Sequence, residues 1–392
     1  MKTIFTKDEF SVFVKEIQEE EGYKNPIGFG ICRVDLGQQD KSKVLQATFP
    51  LTNWNENMGS ASVFISAIRE LGAEVDFSQT ELVFSVTKKF LEVSLRKFTP
   101  FISETVGDAH KNIQVIDQLK NRADLQNFKL VFIFEDAPLK SVEATYLKLY
   151  ALSQKKAELR SLNLNGAFGV LHNVAWSQGK PYELDWLRGN EIELKIMNMY
   201  PNIDAVDKFP RFLQHIIPED NTRILSTSKV RMGAQLAAGT TVMPGASYIN
   251  FNAGTTGISM VEGRISSSAI VGDGSDIGGG ASILGVLSGT DGNPISVGKN
   301  SLLGANSVCG IPLGDGCIID AGLPILEGTK ITISAKELAK LQELNPEIAT
   351  QKTFKGKELA GFNGLHFRQN SENGQVMAFR SKREVKLNSE LH

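Results

Sequence analysis

The fold is decided by the stretch ISSSAIVGDGSDIGGGASI, residues 265–283, in which an aliphatic residue occupies every sixth position. A helix repeats every 3.6 residues and a half-buried strand every two, so neither explains this spacing. A period of six indicates a parallel β-helix, in which three six-residue units close one triangular coil. The aliphatic positions are Ile224, Val230, Leu236, Val242 and Tyr248, then Ile265, Val271, Ile277 and Ile283, then Val297, Leu303 and Cys309, and finally Leu313, Ile319, Ile325 and Ile331.

The repeat predicts a coil over residues 221–333, with the aliphatic side chains inside and a small residue two places earlier at each tight corner. The phase breaks between Tyr248 and Ile265, between Ile283 and Val297 and between Cys309 and Leu313, where the spacing is no multiple of six. The second break predicts a loop of about eight extra residues, approximately Gly285–Gly292, that projects from a corner. The third break is the shortest and predicts a tightened corner around Pro312.

The composition is that of a globular protein, with 392 residues of which 41% are hydrophobic and 22% charged. A net charge of −2 without a basic cluster argues against nucleic-acid binding. No apolar run is long enough to cross a bilayer, and the start of the chain has no signal-peptide pattern. Three cysteines make no disulfide framework, so we expect reduced thiols and a cytoplasmic protein.

Three regions are expected: an N-terminal α/β domain (1–220), a left-handed parallel β-helix (221–333) and a C-terminal helix with a capping tail (334–392). In the first region, a capping box at Thr6–Glu9 predicts a helix through about Glu20. Neither a phosphate loop nor a dinucleotide fingerprint occurs there. Further helices are expected over 60–71, 141–157 and 334–344, and strands over 129–134 and 167–176.

The coil contains no histidine, because none occurs between His215 and His366. Parallel β-helices of this kind resemble a family of acyltransferases that use coenzyme A, most of whose members use a histidine as base. The missing histidine therefore disfavours the serine, galactoside and sugar-nucleotide acyltransferases. It also disfavours the three-histidine carbonic anhydrases that are built on the same coil.

Among the acids of the coil, Glu262 differs because it falls in the out-of-phase stretch and is followed by Gly263 and Arg264. A carboxylate beside a glycine could be partly buried yet oriented, with a pKa that lets it accept a proton near neutral pH. The residues alone leave a second interpretation open, an Arg–Glu pair that stabilises a corner. By contrast, Asp273 and Asp315 stand in Asp-Gly turns, which need no chemical role.

Strings longer than the repeat carry a more specific likeness. The chain resembles the tetrahydrodipicolinate N-succinyltransferases with the longer N-terminal domain, densely over about 230–333 and in the tail, and weakly in its first 200 residues. The matching strings are VRMG (230–233), NFNAGT (250–255), SMVEGR (259–264), VGDGSDIGGGAS (271–282), LSG (287–289), LGANS (303–307) and FRQNS (367–371). The resemblance implies transfer of succinyl from succinyl-CoA to the amino group of ring-opened tetrahydrodipicolinate, a step of lysine and diaminopimelate synthesis.

The resemblance also assigns roles to two residues. It makes Glu262 the catalytic carboxylate, acting either as a general base or as a nucleophile that is transiently acylated. It makes the backbone N–H of Gly285 the candidate donor to the thioester oxygen as that oxygen gains charge. From the residues alone, Gly285 is better explained as a hinge of the projecting loop.

The resemblance further implies a set of coenzyme A contacts. Lys355 and Arg368 suit phosphate on charge alone, and the glycines and alanines leave room for a thin pantetheine arm. Asp320 stands where relatives tend to have the longer glutamate. The complete set is Arg264, Gly279, Ser282, Ala305, Asp320, Ala321, Gly328, Lys355, Arg368, Gln369, Asn370 and Ser371. Arg231 is a candidate for a substrate carboxylate, with a surface salt bridge as the alternative.

Two expectations concern assembly and metal. The family is trimeric with active sites in clefts between chains, so the resemblance implies a homotrimer. Some relatives bind magnesium on the trimer axis through two acids. Here those places hold Ser228 and residues 244–247, none of which is a carboxylate, so no metal site is expected.

Three alternatives to the succinyltransferase are kept. The first is a coenzyme A acyltransferase with a different acyl group or amine. The second is a nucleotidyltransferase with a β-helix tail, suggested by LAAGTT at residues 236–241. That string keeps the six-residue phase inside the coil, which disfavours a nucleotide loop. The third is a non-catalytic scaffold, which would leave the projecting loop and Glu262 without a purpose.

Overall fold

A computed structural model describes residues 3–286, 292–382, 385 and 387 of the chain. The chain divides into two compact units. The first comprises Met1–Ala151 and Leu162–Pro210, and the second comprises Leu152–Ser161 and Arg211–His392. None of the helices in the described ranges has both the length and the apolar character needed to cross a bilayer.

The first unit consists of short helices and two antiparallel sheets. Its strands are β1 (Gly28–Leu36), β2 (Val44–Thr48), β3 (Asn53–Trp54), β4 (Glu81–Ser85), β5 (Phe128–Ile133), β6 (Val174–Ser177), β7 (Lys180–Glu183) and β8 (Ala205–Asp207). Its helices are α1 (Lys7–Gln18), α2 (Met58–Glu70), α3 (Lys88–Lys97), α4 (Lys111–Leu119), α5 (Val142–Ser153), α6 (Ala167–Val170), α7 (Leu184–Gly189) and α8 (Glu191–Ile196). One sheet has the order β2-β1-β5-β4 with β3 beside β1, and the other has the order β7-β6-β8.

The local patterns of this unit predicted α1, α2 and β5 close to their observed bounds, whereas the helix expected over 141–157 ends at Ser153. The capping box is confirmed, because the Thr6 side chain accepts from the Glu9 N–H and the Glu9 carboxylate accepts from the Thr6 N–H. The strand expected over 167–176 is wrong in its first half. There Gly166 adopts a left-handed conformation (φ 89°) and the chain continues into α6 before β6 begins.

The coil of the second unit is built from three faces, each a parallel sheet of very short strands. The first face holds β9 (Arg223–Ile224), β10 (Thr241–Val242), β13 (Ser259–Val261), β16 (Ser275–Ile277), β19 (Leu302–Leu303) and β21 (Ile318–Ile319). The second face holds β11 (Tyr248–Ile249), β14 (Arg264–Ile265), β17 (Ser282–Ile283), β20 (Val308–Cys309) and β22 (Pro324–Ile325). The third face holds β12 (Gly254–Thr255), β15 (Ile270–Val271) and β18 (Ser296–Val297).

The chain visits the three faces in turn, as the six-residue repeat predicts. Strands β10, β11 and β12 pair with β13, β14 and β15 respectively, so the chain returns to the same face once in every coil. A long connection lies where the projecting loop was expected, between β17 and β18. Most of that loop, residues 287–291, lies outside the described residues. The tightened corner after Cys309 is confirmed, since Leu313 already pairs with Val297 on the third face.

One part of the predicted phase is wrong. Tyr248 is half-exposed and pairs with the outward Arg264, whereas its neighbour Ile249 is fully buried and pairs with Ile265. The stretch from Tyr248 to Ile265 is therefore ordinary coil, with Thr255 and Val261 also buried. The phase slips by one residue before Ile249, and it changes again at a four-residue corner after Val261, from which the phase of Ile265 begins. Glu262 lies in that tight corner.

Residues 152–161, from the first half of the sequence, pack along the coil through Arg160. The Arg160 guanidinium donates to the Ser268 carbonyl (2.6 Å), to the Ser296 hydroxyl (3.0 Å) and to the Ile295 carbonyl (2.6 Å). Its backbone N–H donates to the Asn252 side chain (2.8 Å). Arg160 thus forms hydrogen bonds to three successive coils. Two of these coils precede the connection that carries the projecting loop, and the third follows it.

The tail adds further strands to the first face. After β23 (Lys330–Thr332), Ser334 caps α9 (Ala335–Gln342), as expected. Then follow β24 (Thr353–Lys355), β25 (Leu365–Gln369) and β26 (Val376–Arg380). Strand β25 pairs in parallel with β21, and β26 pairs antiparallel with β25. The first face therefore continues beyond the last strand of the coil.

Gly254→Ala should destabilise the second unit by at least about 2 kcal/mol, because a methyl group there would overlap the Gln235 carbonyl oxygen. The matched control is Gly245→Ala, where a methyl group would have no neighbour within 4 Å. Urea unfolding followed by circular dichroism measures both. Equal midpoints for the two variants would contradict the close stacking of these corners.

Candidate active site

The corner between the first and second faces carries a column of small residues. A Cβ on Gly278 would lie 2.6 Å from the Leu303 carbonyl oxygen, and one on Gly304 would lie 2.5 Å from the Ala321 nitrogen. Hydrogen bonds tie the same corners together, from Asn306 N–H to the Gly279 carbonyl (2.9 Å) and from Gly322 N–H to the Ala305 carbonyl (2.8 Å). We call the stack of Gly279, Ala305 and Ala321 the small-residue column.

Glu262 stands at the head of this column, one coil before Gly279. Its own N–H and that of Gly263 both donate to the Ile277 carbonyl (2.8 and 3.0 Å), which fixes the corner. Gly263 is required there, because a side chain would overlap the Ala281 carbonyl oxygen. The Glu262 side chain is half-buried, and its Oε2 would lie 3.6 Å from a Cβ on Gly279. The carboxylate therefore points along the column and not into open solvent.

Arg264 follows on the second face but does not pair with Glu262. Its side chain donates to the Ser282 hydroxyl on the next coil, from Nε at 3.1 Å and from Nη2 at 2.6 Å. Within the described ranges no ion pair joins Arg264 to Glu262, so the interpretation of Glu262 as half of a corner salt bridge is wrong. Both Arg264 and Ser282 were expected to contact coenzyme A, and the structure places them side by side.

The opposite border of the second face, its corner with the third face, carries Gly285 and Gly328. Gly285 is buried, and a Cβ there would lie 3.1 Å from Cβ of Ser266 on the preceding coil. Gly328 lies further along the same border. Next to it, Lys355 pairs with Lys330, and the N–H of Gly356 donates to the Thr329 carbonyl (2.9 Å). The Lys355 side chain is exposed at the far end of the face.

The tail brings Arg368–Ser371 to the far end of the small-residue column. Because β25 extends the first face beside β21, Arg368 and its successors reach the corner next to Asp320 and Ala321. The Asp320 carboxylate accepts from Arg368 Nε (3.0 Å) and from His366 Nε2 (2.7 Å). The chain then turns into β26, with Asn370 N–H donating to the Gln375 carbonyl (2.8 Å).

The expected residues thus surround one surface, the second face with its two corners. Glu262 and Arg264 lie towards one end, and Lys355 and Arg368 lie at the other. Arg231 is further back on the same face, where it donates to the Asn250 side chain (3.2 Å). Sequence reasoning missed His366 as a member of this site. Its position two residues before Arg368 in a strand, and hence on the same side, was the available signal.

The cysteines offer no nucleophile to this site. All three are buried, and burial raises the pKa of Cys309 to about 12 and that of Cys317 to about 11. Burial also holds the pKa of Cys32 well above its ordinary value. At pH 8 the thiols therefore stay protonated and covered. We expect almost no labelling by a thiol reagent in the native protein and labelling of all three in denaturant. Fast native labelling of even one cysteine would contradict this.

Comparison with known families places the coil in a class. A model described as the hexapeptide repeat of succinyltransferase matches residues 294–327. The coil is therefore that of a hexapeptide-repeat transferase. Two further models, the N-terminal and the middle part of tetrahydrodipicolinate N-succinyltransferase, match residues 8–169 and 171–211.

Whole-chain relatives identify the family within that class. A 2,3,4,5-tetrahydropyridine-2,6-dicarboxylate N-succinyltransferase from Sulfurimonas denitrificans is 65% identical over 100% of both chains. A Campylobacter jejuni protein of the same name is 59% identical over 99% of this chain and 100% of its own. A solved C. jejuni structure assigned to 2,3,4,5-tetrahydropyridine-2-carboxylate N-succinyltransferase has a TM-score of 0.94 at 57% identity, covering 98% of this chain and 100% of its own. The chain belongs to the tetrahydrodipicolinate N-succinyltransferase family.

Proposed function

We propose that the second face and its corners form the site at which this enzyme transfers succinyl from succinyl-CoA to an amino group. The names of its relatives give 2,3,4,5-tetrahydropyridine-2,6-dicarboxylate as the acceptor. The proposal is that its ring-opened form reacts, in a step of lysine and diaminopimelate biosynthesis. The observation that carries the site assignment is the half-buried Glu262 at the head of the small-residue column, with Arg368 at the column's other end.

Glu262 supplies the proton acceptor. The amine must be neutral to attack, so it first gives one proton to solvent, and Glu262 then takes the second proton as the nitrogen attacks the thioester carbonyl. The new C–N bond gives a tetrahedral oxyanion, which collapses when the C–S bond breaks and the thiolate of coenzyme A leaves. The proton taken by Glu262 can then pass to that thiolate. The backbone N–H of Gly285 is the proposed donor to the oxyanion.

A second route remains open, in which the Glu262 carboxylate attacks the thioester and carries succinyl as a mixed anhydride. The two routes differ when the acceptor is left out. Acylation of Glu262 would release one equivalent of coenzyme A thiol per active site in a burst, whereas a general base would release none. Rapid-quench measurement of free thiol separates them.

The small-residue column is the proposed contact surface for the pantetheine arm. Its small side chains leave the corner shallow, and adjacent strands are about 4.8 Å apart, so the four steps from β13 to β25 span roughly 19 Å. Lys355 and Arg368 would hold the phosphates at the far end, where both side chains are exposed. Arg264, Ser282, Gly328 and the turn at 369–371 complete the proposed lining.

A second copy of the chain is needed to complete the site. Glu262 lies at the corner of the first and second faces, whereas Gly285 lies across the second face on the next coil. A neighbouring chain packed on the second face would bring one chain's Gly285 towards the other's Glu262. We therefore propose a homotrimer with its active sites between subunits. The proposal includes a left-handed coil, a tail that caps it and a cytoplasmic location.

The assay is the release of free thiol from succinyl-CoA in the presence of the cyclic acceptor. We expect release that depends on both substrates and is much slower with acetyl-CoA. Sedimentation should give a mass three times that of the 42.9 kDa chain. A folded trimer that releases no thiol at any succinyl-CoA concentration would refute the activity. Equal rates with acetyl-CoA would favour an acyltransferase of different selectivity.

A further inference from the structure

Asp320 is the centre of a three-residue cluster that joins the coil to its tail. Its Oδ1 accepts from His366 Nε2 at 2.7 Å, and its Oδ2 accepts from Arg368 Nε at 3.0 Å. His366 is largely covered, with its side chain 21% exposed, whereas the Arg368 side chain is 58% exposed. The carboxylate is thus held from two sides by a pair of residues on one strand.

The strand pairing explains why these three residues meet. Ile318 and Ile319 of β21 lie beside His366 and Phe367 of β25, so Asp320, the next residue, comes level with Arg368. Alternation along β25 buries Phe367 in the coil and turns His366 and Arg368 to the outer side. The cluster therefore forms only when the tail strand is paired in this alignment.

Electrostatics argues against direct contact between Asp320 and the phosphates of coenzyme A. The phosphates are anionic, and a carboxylate brought against them would repel them. Arg368 is a cation that can lie between the Asp320 carboxylate and the phosphates. Its Nε is engaged by Asp320, and with the described residues its two terminal nitrogens make no hydrogen bond or ion pair. Those nitrogens can form the paired donors that a phosphate accepts.

We propose that Asp320 and His366 are positioning residues for the succinyl donor. Together they hold the Arg368 guanidinium at the end of the small-residue column with its terminal nitrogens directed to the phosphates of coenzyme A. Asp320 fixes Arg368 directly, and His366 fixes Asp320. This inference rests on the proposed function, and it adds an action through Arg368 to the contact with the cofactor that was expected of Asp320.

The test compares succinyl-CoA with succinyl-pantetheine, a donor that has the same thioester and arm but no phosphate. We expect His366→Ala and Arg368→Gln each to raise KM for succinyl-CoA about tenfold with kcat little changed. KM for succinyl-pantetheine should stay as in the wild type. In His366→Gln the side-chain amide can donate from a similar position, so KM for succinyl-CoA should return most of the way to the wild-type value. Lys336→Gln, which removes an exposed cation from α9, is the control.

A double variant sharpens the test. If His366 acts through Arg368, then His366→Ala should add almost nothing in the Arg368→Gln background. Equal increases of KM for both donors would show a general structural role and overturn the proposal, and so would fully additive effects. A wild type that turns over neither donor would instead refute the proposed function, so the two failures are distinct.

Discussion

Replacing Glu262 by glutamine lowers kcat for succinyl transfer by roughly 10²–10⁴-fold, because the amide cannot accept the proton that the attacking amine must lose. The substitution keeps the size of the side chain. The corner itself is held by the backbone N–H groups of Glu262 and Gly263 on the Ile277 carbonyl, which the change leaves in place. The loss should therefore appear in turnover and not in folding, as steady-state thiol release together with thermal unfolding will show.

Glu343→Gln is the matched control, because Glu343 is an exposed carboxylate at the end of α9 in the same unit. It should behave as the wild type in both measurements. If Glu262→Gln retained more than about a tenth of the wild-type kcat, a role as base or nucleophile would be excluded. A scaffold protein would show no turnover in any of the three proteins.

Filling the small-residue column is the second change with a large expected effect. Ala305 and Ala321 are both exposed, so leucine at either position can be accommodated without entering the core. The larger side chain would occupy the space proposed for the pantetheine arm and displace the arm from the column. We expect KM for succinyl-CoA to rise at least about tenfold, equivalent to a loss of about 1.4 kcal/mol of binding, while kcat changes much less.

The control for this series is Ala349→Leu, which makes the same change at an exposed alanine between α9 and β24. Unfolding midpoints should be close to the wild type for all three variants. An unchanged KM in both Ala305→Leu and Ala321→Leu would show that the arm does not lie along this corner. The proposed course of the cofactor would then be wrong even if the activity itself is present.

Local sequence patterns predicted much of this molecule because the coil repeats the same short-range chemistry. The buried Ile265, Val271, Ile277 and Ile283 follow directly from spacing, and so does the cap of α1. Spacing failed at Tyr248, where two apolar residues are adjacent and the true inward residue is the second of them, Ile249. A one-residue slip of that kind can be recognised only from the neighbouring coil.

Contacts between distant parts of the chain could not be predicted either, because local spacing carries only short-range information. His366 and Asp320 are 46 residues apart, and Arg160 lies 108 residues before the Ser268 carbonyl that it binds. Nothing in the spacing around these residues encodes their partners. The family resemblance supplied candidate cofactor contacts, but the way in which Asp320 supports Arg368 follows only from the pairing of β25 with β21.

The position of β25 also has a consequence for the order of events during synthesis. The edge of β21 stays open until residues 365–369 have left the ribosome, since β25 is the strand that covers it. Arg368 arrives on that same strand. A chain that stops before this strand therefore lacks both a covered edge on β21 and the arginine that we propose holds the acyl donor.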